Sequence, residues 1–171
     1  MSQNMLVFET KERNRFPDFR DRLRYILLEF MQITSFYFSA GIRVISEYAR
    51  DFILKKYKFL SNKKTAVIYK FVDDRFGSVS IDIYKRESNF TPQRPFKLLY
   101  VSLINYYKHQ DKLIEAVVSL KKKSIPVELH LIGPLNPKLK KDFDNLILSA
   151  EDAVIYHGKV RYEEIHQYYS N

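Results

Sequence analysis

The chain has 171 residues, a formal net charge of +9 and no cysteine. Its 46% hydrophobic and 15% aromatic content supports a packed core, and the missing cysteine excludes disulfide frameworks, cysteine metal sites and thiol nucleophiles. The basic excess either selects an anionic partner (nucleic acid, a phosphorylated small molecule, a membrane surface) or is a solvated face; the runs Lys121-Lys122-Lys123 and Lys138 with Lys140-Lys141 are too short for a nucleic-acid arm.

In chain order, the first ten residues lack a basic region followed by an apolar stretch, so they do not read as a signal peptide. Pro17 and Asp18 suit a helix start, and the helix is expected to run to about Ala40 and stop at Gly41. Within it, residues 25–42 approach the length of a bilayer span. Glu29, Gln32, Ser35 and Ser39 recur every three to four residues, however, which is a polar stripe on a half-buried or interfacial helix. Phe30, Phe36, Tyr37 and Phe38 read as core or interface, with membrane docking as the alternative.

A β-branched run at 42–45 predicts a strand, Ser46 a cap, residues 47–57 a helix, and 65–69 a second strand. Residues 70–95 have no sustained period and contain Gly77, Pro92 and Pro95, so they read as a connection. The pattern then becomes regular. Strands are expected at 97–101, 127–132 and 153–156, and helices at 108–122 and 137–149, with another beginning at 163. Strand–helix pairs at a spacing of about thirty residues predict a parallel sheet with right-handed crossovers.

Ligands of such a sheet bind beyond the carboxyl ends of its strands. Those ends are residues 102–107, 133–137 and 158–161. Neither a GxGxxG fingerprint nor a P-loop is present, and His109, His130, His157 and His166 show no metal-ligand spacing.

The run Val101-Ser102-Leu103-Ile104-Asn105-Tyr106-Tyr107-Lys108-His109-Gln110, followed by Leu113-Ile114-Glu115-Ala116, resembles the start of the C-terminal domain in group 1 glycosyltransferases. The "Y-K-H-Q" loop is similar to a subset that builds bacterial surface polysaccharides. The next two strands of that family resemble the segment from Val127 through Gly133 and the segment from Val154 through Val160 with Tyr162-Glu163-Glu164-Ile165 and Tyr168. Upstream, Val44-Ile45-Ser46-Glu47-Tyr48-Ala49 resembles the last strand and helix of the N-terminal domain. Phe71-Val72-Asp73-Asp74-Arg75-Phe76 resembles the segment before the domain crossover, with Phe71 in place of glycine. Asn4-Met5-Leu6-Val7-Phe8 resembles an acceptor-side loop, with Val7 where proline is usual.

The resemblance implies an α/β, GT-B-like fold. Residues 1–70 would be part of an N-terminal acceptor domain, 71–95 the interdomain connection, and 96–171 the first half of a Rossmann-like parallel-sheet donor domain. It implies a retaining enzyme that moves a sugar from a nucleotide-diphosphate sugar to a glycan or lipid-linked acceptor hydroxyl, with no metal or other cofactor. The expected location is the cytoplasm or the inner face of the cell membrane, with peripheral contact with anionic membrane.

Lys108 would face the donor phosphates, as an ammonium at a helix start whose N-terminal dipole also favours anions. A lysine there conflicts mildly with that dipole, which favours a functional role over a solvated charge. Ser102, His109, Gly133, Pro134, Gly158, Lys159 and Val160 would line the donor pocket, and Asn4 and Met5 the acceptor side. A plain turn accounts for Gly133 equally simply, and a tight turn at Gly158 and local packing at the histidines are the simpler readings there.

Two departures stand out. Leu103 occupies a place where many members carry arginine, and the family's paired-glutamate loop would lie beyond Asn171. With the first acceptor-domain strands also missing, the expectation is an incomplete chain, inactive alone, whose catalytic residues are not assigned. The rival expectation is a non-enzymatic basic α/β domain that binds nucleic acid, although no such motif is present.

Overall fold

A computed structural model describes residues 5–71, 73–77 and 89–169. The chain forms two compact units, Met1–Phe71 and Val72–Asn171.

The first unit opens with a 3-10 turn, Met5–Val7, and a one-turn helix α1, Thr10–Arg13. Helix α2 spans Phe19–Phe38, and the Asp18 carboxylate caps it by accepting from the Arg20 amide at 2.9 Å. It ends at Ser39 in an extended conformation, not on a left-handed Gly41. Gly41 instead opens strand β1, Gly41–Val44, where it pairs with Lys64; a Cβ there would lie 3.0 Å from the Lys64 carbonyl oxygen. The glycine therefore serves close strand approach rather than helix termination.

Helix α3, Glu47–Lys56, is capped by Ser46, whose hydroxyl accepts from the Ala49 amide at 3.1 Å. Strand β2, Lys64–Val67, then pairs in parallel with β1. Phe8, Val44, Ile53 and Leu60 are fully buried at the centre of this unit.

The inward face of α2 sets an ion cluster beside core residues: Phe36 is buried, and Tyr25 and Ile33 pack against the same core. Glu29 accepts from Arg13 and Lys56, both at 2.6 Å, and from the Tyr57 hydroxyl. Lys56 also donates to the Phe8 carbonyl at 2.7 Å. Burial alone would raise the Glu29 carboxyl, but hydrogen bonds from Lys56, Tyr57 and Arg13 outweigh it and hold the group below its ordinary value. The Tyr57 phenol is pushed up by burial and by the same carboxylate. Leu23, Ile26, Leu27, Phe30, Met31 and Phe38 meanwhile lie exposed on the outward side. Among the described residues no helix is long and apolar enough to cross a membrane.

The second unit contains a one-turn helix α4, Asp74–Gly77, and a three-stranded parallel sheet. Its strands β3 (Phe96–Val101), β4 (Val127–Ile132) and β5 (Val154–Tyr156) lie in the order β3-β4-β5. Leu98 pairs with Leu129, and Leu129 with Val154. The parallel pairing of β3 with β4 matches the sequence expectation.

Side chains alternate along a strand, so Leu98, Tyr100, Val127, Leu129, Leu131, Val154 and Tyr156 share one face. Helices α5, Gln110–Lys122, and α6, Lys140–Ser149, cover it through Ile114, Val117 and Phe143. Burying a leucine as fully as Leu129 or Leu131 contributes about 2 kcal/mol, which makes this sheet–helix layer the main source of stability in the unit. Lys97, Leu99, Glu128, His130 and Ile155 occupy the opposite face.

Three predicted helices differ in form. The segment expected to open at Pro137 is a 3-10 turn, Pro137–Leu139, before α6. The C-terminal segment is 3-10, Ile165–Tyr169. The helix expected to open at Lys108 begins at Gln110, because His109 takes a left-handed conformation (φ 58°) that separates it from a 3-10 turn, Tyr106–Lys108.

Candidate functional site

The carboxyl ends of β3, β4 and β5 are tied together by backbone hydrogen bonds. The Ser102 amide donates to the Ile132 carbonyl at 2.8 Å, the Gly133 amide to the Gly158 carbonyl at 2.8 Å, and the His157 amide to the Leu131 carbonyl at 3.0 Å. Gly133 has φ 141°, and a Cβ built on it would stand 2.0 Å from the Ser102 carbonyl oxygen. Only glycine lets the two chain segments cross there. Gly158 differs: its φ is 72°, yet a Cβ would meet nothing within 4 Å. It supplies a left-handed turn beside open space. The structure thus brings Ser102, Gly133 and Gly158 together through backbone groups.

The loop after β3 is held by amide side chains. Gln110 is 2% exposed; its Nε2 donates to the Leu103 carbonyl at 3.0 Å and its Oε1 accepts from the Asn105 amide at 3.4 Å. Asn105 Oδ1 accepts from the Tyr106 amide at 2.8 Å and from Asn136 Nδ2 at 3.2 Å. The Ile104 amide donates to the Pro134 carbonyl, and the Asn136 amide returns to the Ile104 carbonyl. Asn105, Gln110 and Asn136 form the frame of the site and were not singled out from the sequence. The signal was an asparagine after β3 and another after β4, with a glutamine at the first residue of α5. Residues 31 apart that share one oxygen cannot be paired by inspection.

Lys108 sits in this frame. Its amide donates to the Asn105 carbonyl at 2.9 Å, its carbonyl accepts from the Tyr100 hydroxyl at 2.9 Å, and its ammonium lies 5.3 Å from the Tyr107 ring centroid. The main chain is fixed from both sides, and among the described residues the ammonium pairs with no carboxylate. Burial pushes the neighbouring Tyr107 phenol up, with a further contribution from Tyr100, so it stays protonated near neutrality. His109 is exposed, as are Pro134 and Lys159, and Val160 is half-buried. Met5 begins the turn Met5–Val7 and packs on the core of the first unit. Asn4 lies outside the described residues.

The open face of the sheet carries a second cluster. His130 Nε2 lies 2.7 Å from Glu128 Oε1, and His130 Nδ1 lies 2.9 Å from His157 Nε2. The two rings stack at 5.2 Å, and His157 meets Tyr168 edge-on at the same distance. A cavity of about 510 Å³ opens beside them, lined by Lys97, Leu98, Leu99, His130, His157, Tyr168 and Tyr169. Burial lowers the His157 pKa, His130 lowers it further, and Glu128 offsets part of this. One ring must donate and the other accept across the 2.9 Å contact, so the pair holds one added proton at most.

The loops after the three parallel strands thus meet at the carboxyl edge of the sheet, the place where open α/β sheets bind their ligands. The family description "Glycosyl transferases group 1" matches residues 83–171, and the chain belongs to that family. The parallel architecture and the family together give an α/β, GT-B-like fold class. None of the curated proteins is a match to this chain. A solved structure of an S. aureus TarM mutant in complex with Fondaparinux, alpha-GlcNAc-glycerol and UDP is similar at 22% identity and a TM-score of 0.48, over 71% of this chain. The chain spans 22% of that protein's length.

Proposed function

We propose that the protein takes part in transfer of a sugar from a nucleotide-diphosphate sugar to an acceptor hydroxyl, with retention, in surface glycan or lipopolysaccharide synthesis. In this reading residues 96–171 supply the donor side and residues 1–70 part of the acceptor side, with 71–95 as the connection between them. Lys108 faces the departing diphosphate. Ser102, His109, Gly133, Pro134, Gly158, Lys159 and Val160 shape the pocket, Asn4 and Met5 border the acceptor, and no metal is required. Peripheral contact with an anionic membrane would bring a lipid-linked acceptor within reach.

The observation that carries the reading is the joined strand ends: three loops held by backbone and amide hydrogen bonds, with one lysine whose main chain is fixed and whose ammonium meets no carboxylate among the described residues. A diphosphate leaving group needs such a pre-placed cation.

Calorimetric titration of the chain with uridine and guanosine diphosphates tests it. Lys108→Ala should weaken nucleotide binding by about tenfold or more, the value of one charge-assisted contact. It should leave thermal unfolding unchanged, because the Lys108 backbone bonds remain. Lys122→Ala, at the far end of α5, should change neither. The nucleic-acid reading predicts the reverse pattern: oligonucleotide binding that falls steeply with salt, and no diphosphate binding.

A further inference from the structure

Helix α2 turns Phe36 and the Glu29 cluster inward and leaves a second apolar stripe on its outward side. Turning 100° per residue, Leu23, Ile26, Leu27, Phe30, Met31 and Phe38 fall on one side, away from the Glu29 network. Phe30 is 71% exposed and Phe38 79% exposed. The stripe continues past the helix, because Tyr37 stacks edge-on against exposed Phe59 at 6.1 Å.

Cations stand at both ends of the stripe. Arg20 and Arg24 are exposed near its start. At its far end Lys58 is exposed and the Lys63 ammonium lies over the Tyr37 ring at 5.7 Å. From Leu23 to Phe38 the one acidic residue is Glu29, and it is turned inward onto Arg13, Lys56 and Tyr57.

We propose that this outward face of α2 docks on an anionic lipid bilayer, lying in the interface with its arginines and lysines among the headgroups. A helix of this length covers about 30 Å of surface, with apolar residues at acyl depth and cations at the rim. The charge pattern favours lipid over a second copy of the chain. A two-fold packing of the stripe on itself sets Arg20 and Arg24, offset only in part by Asp18 and Asp21, against cations in either direction, with no outward acid between Leu23 and Phe38 to relieve them. This names the surface for the membrane contact in the reading above and is independent of its sugar-transfer part.

The test is co-sedimentation of the chain with phosphatidylcholine vesicles, with and without phosphatidylglycerol. The expected result is binding to the anionic vesicles, weakened by salt, and little binding to the neutral ones. Arg20→Gln with Arg24→Gln should reduce it about thirtyfold, each cation contributing about fivefold. Leu27→Ser with Phe30→Ser should reduce it at least tenfold. All four side chains are exposed, so circular dichroism and thermal unfolding should be unchanged and a loss of binding cannot be a loss of fold. Equal binding to both vesicle types, no binding, or binding indifferent to the serine pair would overturn the proposal. So would a concentration-dependent dimer that the serine pair dissolves while vesicle binding stays absent. Diphosphate titration of the same samples reads the donor site separately, so each idea fails on its own measurement.

Discussion

Helices α2 and α5 both mix apolar and charged residues, and they distribute them differently. In α5 the apolar side meets a sheet, and Ile114 and Val117 disappear from solvent while its lysines stay outside. In α2 the inward side joins buried Phe36 to a carboxylate shared by an arginine, a lysine and a tyrosine, and a second set of apolar residues is left on the surface. A periodic stripe establishes that a helix has two faces. Which face turns inward depends on what waits there: a parallel sheet offers a dry apolar plane, whereas Arg13, Lys56 and Tyr57 offer three donors to one acceptor.

The contrast can be broken by mutation. The largest effect should come from the second unit's strand-end crossing. Gly133→Ala should destabilise by roughly 4 kcal/mol, combining backbone strain with overpacking against Ser102, and is read by denaturant unfolding. Ile114→Ala in α5 should cost about 3 kcal/mol by leaving a cavity beneath the sheet. In the first unit Glu29→Ala should cost about 2 kcal/mol, because it strands the cations of Arg13 and Lys56. An Ile114→Ala cost below that of Glu29→Ala would mean that the apolar layer is not what holds the second unit. At the small end, Phe30→Ser on the outward face of α2 should lie within about 0.5 kcal/mol of the unmodified chain.

Acid should separate the same two regions. The His157 pKa is depressed from 6.5, so the unfolded chain takes up its proton first as pH falls through 6.5, and stability present above that value drains away toward the lower folded value. The Glu29 pKa is depressed from 4.5, so its contribution persists to about that pH and is lost below it. Unfolding free energy measured against pH should fall in two stages, the first absent in His157→Phe and the second absent in Glu29→Gln. A single stage that both variants remove would show that the two regions do not respond separately.

Much of the fold was legible. Short apolar runs closed by glycine or serine marked β3, β4 and β5, Ser46 caps as expected, and Pro17 and Asp18 mark the start of α2, with Asp18 as its cap, because those signals are local. The strand ends named from the sequence do come together at Ser102, Gly133 and Gly158. What was not legible depended on distant partners. Asn105 and Asn136 share a bond across 31 residues, His130 and His157 meet across 27, and Glu29 gathers donors from both sides of its helix. The start of α5 was misplaced for a local reason: His109 takes a left-handed conformation, which histidine adopts more readily than most side chains but only in a small minority of cases, so the letter alone does not reveal the break.

Gly133 also limits how this sequence can drift. Every other amino acid carries a Cβ, and at 2.0 Å from a carbonyl oxygen that one atom is already too many, so the position permits a single letter. Gly158, one strand away, tolerates a short alphabet: its φ of 72° suits asparagine or aspartate, and the space beside it is open. Two glycines that look alike in the sequence therefore record different things, one a distance between chain segments and the other only an angle.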